Sequence, residues 1–459
     1  MFLYDIARKI NHKRKLRQKE LAGLYLSPVR RIERVAPSSK GRYVAMTFDD
    51  GPSALPPNPL TKIEYAHEGL TDILLDILGR YDAKGTFDVI GTTEYNYPDK
   101  AGKVNYFSWG GMKFDHYPDF KKDSSGGVKN QLETARRMIS EGHELSNHGY
   151  RHVLFGPMKI VYGRRAYYKN LQEVIDDLSV LHDYVLTELN YEMKLSRPPH
   201  YIDRILGGHS SYDVYKYMGY QYLAASFDGG GWKPSSGNYK TDVDMMVKPL
   251  EQALLSDPDI LNGQIIFQKD GCNMSRQTPV ADALDEHLRL LSQAGYKIIT
   301  ASELLKISPF SDIGDKDPAF EYVQHLAILG HCIGYKNNTF QPDRILTNGE
   351  LAVMLTPPEV LNKIHREQYD QNSKEHPYYK VIMLASKQSW FRKTWGSKGD
   401  FMVNEPVSVK GFEKFLNCIS DGEDIDWTPS FHNGYLKRRD VMSCLAGLTN
   451  KAVYNKLYV

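Results

Sequence analysis

Tyr43-Val44-Ala45-Met46-Thr47-Phe48-Asp49-Asp50-Gly51-Pro52 opens as a strand and closes as a turn. Its apolar first half reads as a short buried strand. Two adjacent carboxylates follow at the strand's end, and Gly51-Pro52 turns the chain at once. Neighbouring like charges raise each other's pKa unless a cation or a donor separates their roles. One carboxylate holding a metal and the other acting as a base would resolve that conflict. Taken alone, Asp-Asp-Gly-Pro is equally well a plain turn, since each of these residues favours turns.

Outward from this stretch, the chain alternates between strand and helix. Leu70, Ile73, Leu74, Ile77 and Leu78 recur at helical spacing, and residues 85–91 read as the next buried strand. Residues 92–128 carry no sustained period; the aromatics Tyr95, Tyr97, Tyr106, Phe107, Trp109 and Tyr117 predict a folded insertion beside a site. A helical pattern returns at Leu132, Ala135 and Met138, and again from Leu171 to Leu189. Strands are expected at 194–201, 220–226, 263–270 and 296–299, and helices at 280–294 and 301–307. This alternation predicts an α/β architecture with a parallel sheet or barrel, and chemistry at the strand ends.

The strand ends do carry chemical groups. His148 and His152 stand four apart, so one helical turn would put both imidazoles on one face, within a metal's reach. With a carboxylate at another strand end they form a set of two nitrogens and one oxygen. That set suits zinc or a similar divalent ion with a position open for water. Arg197 precedes Pro198-Pro199, which forbid helix and hold the backbone extended, so Arg197 too is expected at a strand end. Asp228 to Trp232 follows one strand, and Lys269 closes another.

In order and spacing, Thr47-Phe48-Asp49-Asp50-Gly51-Pro52, Gly85-Thr86-Phe87, Gly142-His143-Glu144 with His148 and His152, and Arg197-Pro198-Pro199 resemble the polysaccharide deacetylase (NodB-homology) superfamily, carbohydrate esterase family 4, over roughly residues 40–306. The resemblance implies a distorted (β/α) barrel and a divalent metal, zinc first and cobalt second. It places Asp50, His148 and His152 as metal ligands, Asp49 as general base and Arg197 as its partner. It also puts the backbone N–H of His200 at the oxyanion, with Tyr201, Asp228 and Trp232 on the substrate side. The implied reaction removes N-acetyl groups from an amino-sugar polymer or oligosaccharide. An impaired carbohydrate-binding envelope protein and an amide hydrolase acting on a small N-acylated molecule are the alternatives.

Two positions depart from the family's pattern. Gly231 stands where an Asp precedes the Trp, and Lys269 stands where a His serves as general acid. Three readings follow: Lys269 is the acid, another His such as His200 or His209 fills the place, or the domain binds without turnover.

From Pro309 the pattern changes. Residues 310–354 resemble an S-layer homology repeat, in which Thr347 and Glu350 form a capping box. A weaker copy runs through Tyr379, Ile382, Met383, Ala385 and Trp390 to a helix at 409–419, and 435–448 reads as the remnant of a third. In that family such repeats hold proteins to wall polymers. The Thr-Arg-Ala-Glu signature reads Thr347-Asn348-Gly349-Glu350 here, without its Arg, so a packed helical appendage is an equal alternative.

The expected division is therefore 1–40 as a basic N-terminal helical extension, 41–307 as the barrel, and 308–459 as a smaller, mostly helical domain. A net charge of +2 in 459 residues carries no message about nucleic acid. Four scattered cysteines suggest free thiols. No run approaches the roughly 18 apolar residues of a membrane span. The mildly apolar residues 1–10 precede the basic cluster 12–17, the reverse of a secretion signal's order. By that criterion the location is cytoplasmic; by the repeats it is the envelope.

Overall fold

The computed structural model describes residues 29–95, 108–109, 112–113, 123–158, 166–233, 236–270, 279–332, 334–335, 337–356, 389–395, 402–419 and 434–449. Residues 1–28 of the expected basic helical extension lie outside these. So do most of the 92–128 insertion and the Tyr379–Ala385 part of the second repeat. The chain divides into two compact units, one of residues 29–35 with 41–305 and one of 36–40 with 306–459.

Strand β1 (Arg31–Ile32) forms an edge, so this part of the N-terminal region is extended, not helical. The sheet continues with β2 (Arg42–Asp49), β3 (Thr86–Val89), then, beyond the small antiparallel ribbon β4–β5 (Ser108–Trp109 and Met112–Lys113), β6 (Glu144–Asn147) and β7 (Leu195–Ser196). It ends with β8 (Gln221–Leu223), β9 (Phe227–Asp228), β10 (Ile265–Lys269) and β11 (Tyr296–Ile299). All pairings in the large sheet are parallel, in the order β1-β8-β7-β6-β3-β2-β10-β9, with β11 also on β2. Three residues after β8 the chain enters β9, at the other end of that order, and Ser226 N donates to Ile265 O at 3.0 Å. The sheet is thus curled toward closure, the distorted (β/α) barrel expected.

Helices connect the strands: α1 (Leu70–Arg80), α2 (Leu132–Ser140), α3 (Leu171–Leu189), α4 (Ser211–Met218), α5 (Tyr239–Ser256), α6 (Val280–Gln293) and α7 (Ala301–Leu304). Their apolar stripes cover one sheet face, as parallel strands buried on both sides require. The pleat decides what lies where. Phe48 and Phe87 stack at 4.9 Å on the helix side, beside Leu145 in register. Thr47 and Asp49, with their register partners Thr86 and Asp88, therefore take the opposite, inner face.

The second unit has its own core, built on Phe340, Phe391, Phe412, Phe415, Leu436 and Met442. Its described helices are α8 (Phe320–Ile328), α9 (Asn348–Leu355), α10 (Ser389–Trp395), α11 (Val409–Ile419) and α12 (Met442–Thr449). Three segments that begin helical stretches pair with one another, through Ile345–Lys437, Thr347–Pro406 and Ser408–Tyr435. Cys332 and Cys444 are buried, and neither they nor Cys418 are in a disulfide.

Candidate active site

Asp49 is the last residue of β2, and the chain turns left-handed at Asp50 (φ 79°) before a cis Gly51-Pro52 bond. That turn sends the two neighbouring carboxylates to different partners. Asp49 Oδ1 accepts from Arg197 Nη1. Asp50 Oδ1 lies 3.2 Å from His148 Nε2 and 3.0 Å from His152 Nε2, while its Oδ2 pairs with Lys269 Nζ. Burial works against the Asp50 charge. Lys269, His152 and His148 more than offset it and hold the carboxyl well below the usual range. Burial raises Asp49 more than Arg197 lowers it, so its pKa is pushed up to about 6. Adjacent carboxylates with separated pKa values are the signature of divided roles.

Arg197 follows β7 and is completely buried. Besides Asp49, its guanidinium donates to Thr47 Oγ1 (3.1 Å), Leu223 O (3.2 Å) and Ala224 O (3.3 Å). The Tyr201 ring covers it at 5.3 Å. The guanidinium is fixed from four directions, and it fixes Asp49 in turn.

His148 and His152 do meet, with ring centroids 4.9 Å apart, but not across a helical turn. They sit on a loop after β6 in which Gly149 has φ +90° and His152 has φ 52°. Asp177 on α3 holds this loop, accepting from Tyr150 N (2.7 Å) and Arg151 Nε (2.9 Å). A Cβ at residue 149 would lie 3.0 Å from Asp177 Oδ2 in a left-handed conformation, so glycine suits the position on both counts. The Pro-Pro segment is also tighter than an extended chain: Pro199–Tyr201 is a single 3-10 turn, with His200 at φ 55° and Tyr201 at φ 57°. It brings the His200 ring to 5.3 Å from His152.

Asp50, His148 and His152 each offer one atom, and these atoms all lie within 4.8 Å of one another. Donors of a tetrahedral zinc with bonds of about 2.0–2.1 Å stand about 3.3 Å apart, close to the separations seen. His148 Nδ1 is 2.8 Å from Arg197 O, which as acceptor fixes the proton there and directs Nε2 inward. Nε2 is buried without a hydrogen bond. A carboxylate and two imidazoles aimed at one point fit a divalent ion. In the bare site burial opposes charge on His148, but Asp88 and Asp49 outweigh it and push its pKa up to about 10.

The substrate-side residues are less concentrated. Asp228 is exposed and accepts from Trp232 Nε1 (2.8 Å) and Gly230 N (2.8 Å), so it shapes its own turn. His209 lies exposed before α4, beside Asp213 at 3.9 Å. Lys269 ends β10 opposite Asp49 in register and is buried on Asp50. At Gly231 a Cβ would approach Gln268 Oε1 to 2.7 Å and Lys269 N to 2.9 Å. The loop has closed onto β10 where the resembled family has an Asp, so restoring that acid would require backbone movement.

Two residues of this site went unread in the sequence. Asp177 was visible as a charge inside the apolar stripe of α3, between Val174 and Leu178. Asp88 was visible as the one charge in the apolar strand 85–91.

Residues 36–223 match the family model for polysaccharide deacetylase. The matched segment holds Asp49, Asp50, His148, His152, Arg197, His200 and Tyr201; Asp228, Gly231 and Lys269 follow it. Among relatives, the peptidoglycan-N-acetylmuramic acid deacetylase PdaC of Bacillus subtilis is 25% identical over 60% of this chain and 41% of its own length. The peptidoglycan-N-acetylglucosamine deacetylase PgdA of Listeria monocytogenes is 23% identical over 66% of this chain and 45% of its own. The chain thus spans less than half the length of these relatives. A solved structure of PdaC from Bacillus subtilis aligns with 58% of this chain and 91% of that chain, at 24% identity and a TM-score of 0.35.

Proposed function

We propose that this protein is a metal-dependent hydrolase that removes N-acetyl groups from an amino-sugar polymer or oligosaccharide. The observation that carries the reading is one buried cluster with two halves: Asp50, His148 and His152 converging on a point, and an Asp49–Arg197 pair beside it. A divalent ion held there, zinc first and cobalt second, supplies Lewis acidity toward the amide carbonyl and lowers water's pKa from 15.7 to about 7. Asp49 accepts the proton of the attacking water, and Arg197 keeps its carboxylate aimed. The His200 N–H donates to the oxyanion. Lys269 Nζ, paired with Asp50, is the donor for the leaving amine. Tyr201 backs Arg197, while Asp228 and Trp232 form one lip of the substrate side.

The test is acetate release from chitooligosaccharides and from peptidoglycan by the full chain, before and after chelation. Activity is expected to vanish with a chelator and return with zinc or cobalt. Lys269→Ala is expected to slow the zinc-loaded enzyme by about 10²-fold, within the range of a lost general acid. An unchanged rate removes Lys269 from the mechanism. A protein that binds zinc yet releases no acetate from either polymer is instead a glycan-binding protein, the reading that Gly231 and Lys269 favour.

For the second unit, the three mutually paired segments support three S-layer-homology-like repeats. Wall anchoring, and with it an envelope location, rests on that reading alone. No described helix is long and apolar enough to cross a membrane. Co-sedimentation of the protein with isolated cell walls is expected; a protein left wholly in the supernatant makes the unit a packed appendage.

A further inference from the structure

Asp88 is fully buried on the inner face of β3, in register with Asp49 on one side and Ser146 on the other. Its Oδ1 accepts from Ser146 Oγ at 2.5 Å. Its Oδ2 lies 3.2 Å from His148 Nδ1 and 3.7 Å from Arg197 Nε, yet has no hydrogen bond of good geometry. Arg197 gives it no hydrogen bond, because that guanidinium donates to Asp49, Thr47 and two carbonyls. A buried carboxylate oxygen without a direct donor is costly unless positive charge develops nearby. The group facing it is the His148 ring, whose far nitrogen is the one aimed at the proposed metal position.

We infer that Asp88 is a positioning residue for the metal centre. Arg197 O already accepts the Nδ1 proton of His148; the Asp88 carboxylate lies 3.2 Å from that same edge, and its negative charge strengthens Nε2 as a donor toward a divalent ion. The inference rests on the metal-site reading above and adds to it a residue that contacts neither metal nor substrate. A carboxylate behind a ligating imidazole typically accounts for about 10- to 100-fold in metal affinity.

The experiment measures zinc dissociation constants by chelator competition for the wild type, Asp88→Asn and the apolar near-isostere Asp88→Leu, alongside their melting curves. Both variants are expected to bind zinc about 10- to 100-fold more weakly. The zinc concentration giving half activity rises in parallel. Wild-type affinity in either folded variant overturns the inference and leaves the metal site standing. A merely structural Asp88, tied only to Ser146, would lower the melting temperature and leave the zinc constant unchanged. A wild type that binds no zinc removes the metal reading, and this inference with it.

Discussion

Asp49→Asn is expected to lower kcat/KM for N-acetyl hydrolysis by about 10²- to 10⁴-fold while zinc stoichiometry stays at the wild-type level, the range of a lost general base. The amide is nearly isosteric and can still meet Arg197, so the change isolates the carboxylate's basicity. Asp50, whose carboxyl is held well below the usual range, would keep the ligand role proposed for it. The same residue sets the acid limb of the pH profile. A base must be ionised, so the rate falls as pH drops through the Asp49 pKa. In the bare site that pKa is about 6, and a neighbouring divalent cation moves it lower. The limb therefore lies at or below about pH 6. A variant that keeps more than a tenth of wild-type activity, or an acid limb well above that pH, assigns the proton transfer elsewhere.

Arg197→Met carries the largest expected cost to stability. The side chain is wholly buried, and its loss strands the Asp49 charge together with Thr47 Oγ1 and the carbonyls of Leu223 and Ala224. Removing one partner of such a buried pair costs about 3–5 kcal/mol. For a unit of this size that is a fall in melting temperature on the order of 10 °C. The pH dependence has a definite sign. Without its cation, Asp49 has a folded-state pKa above the value of about 6 it has beside Arg197. Folding then takes up a proton between the unfolded value near 4 and this raised value, so the deficit is greatest above the raised pKa and shrinks on acidification. Denaturation midpoints at pH 7.5 and pH 5 measure it. A gap of equal size at both would mean that the stranded charge is not the source of the loss.

Much of the frame was legible in the residue order. The run from Tyr43 to Met46 reads as a buried strand, and the alternation with helices pointed to a parallel sheet or barrel. Asp49, Asp50 and Arg197 could be placed at strand ends because turn residues or prolines follow them at once. These inferences rest on local chemistry, the period of apolar residues and the conformational limits of glycine and proline, which a sequence states directly.

What the sequence by itself determined was therefore the parallel α/β alternation and the carboxylate pair at a strand end, while the barrel and the donor set of Asp50, His148 and His152 were what the family resemblance implied. Only the tertiary structure decided how those groups are used. His148 and His152 meet through a left-handed loop held by Asp177, and spacing alone cannot distinguish that from a helical turn. Lys269 finds Asp50, and Asp88 finds His148, because strand register sets them side by side although more than fifty residues separate each pair along the chain. Register depends on the packing of the whole sheet, and the charge state of each buried group depends on the neighbours that register supplies.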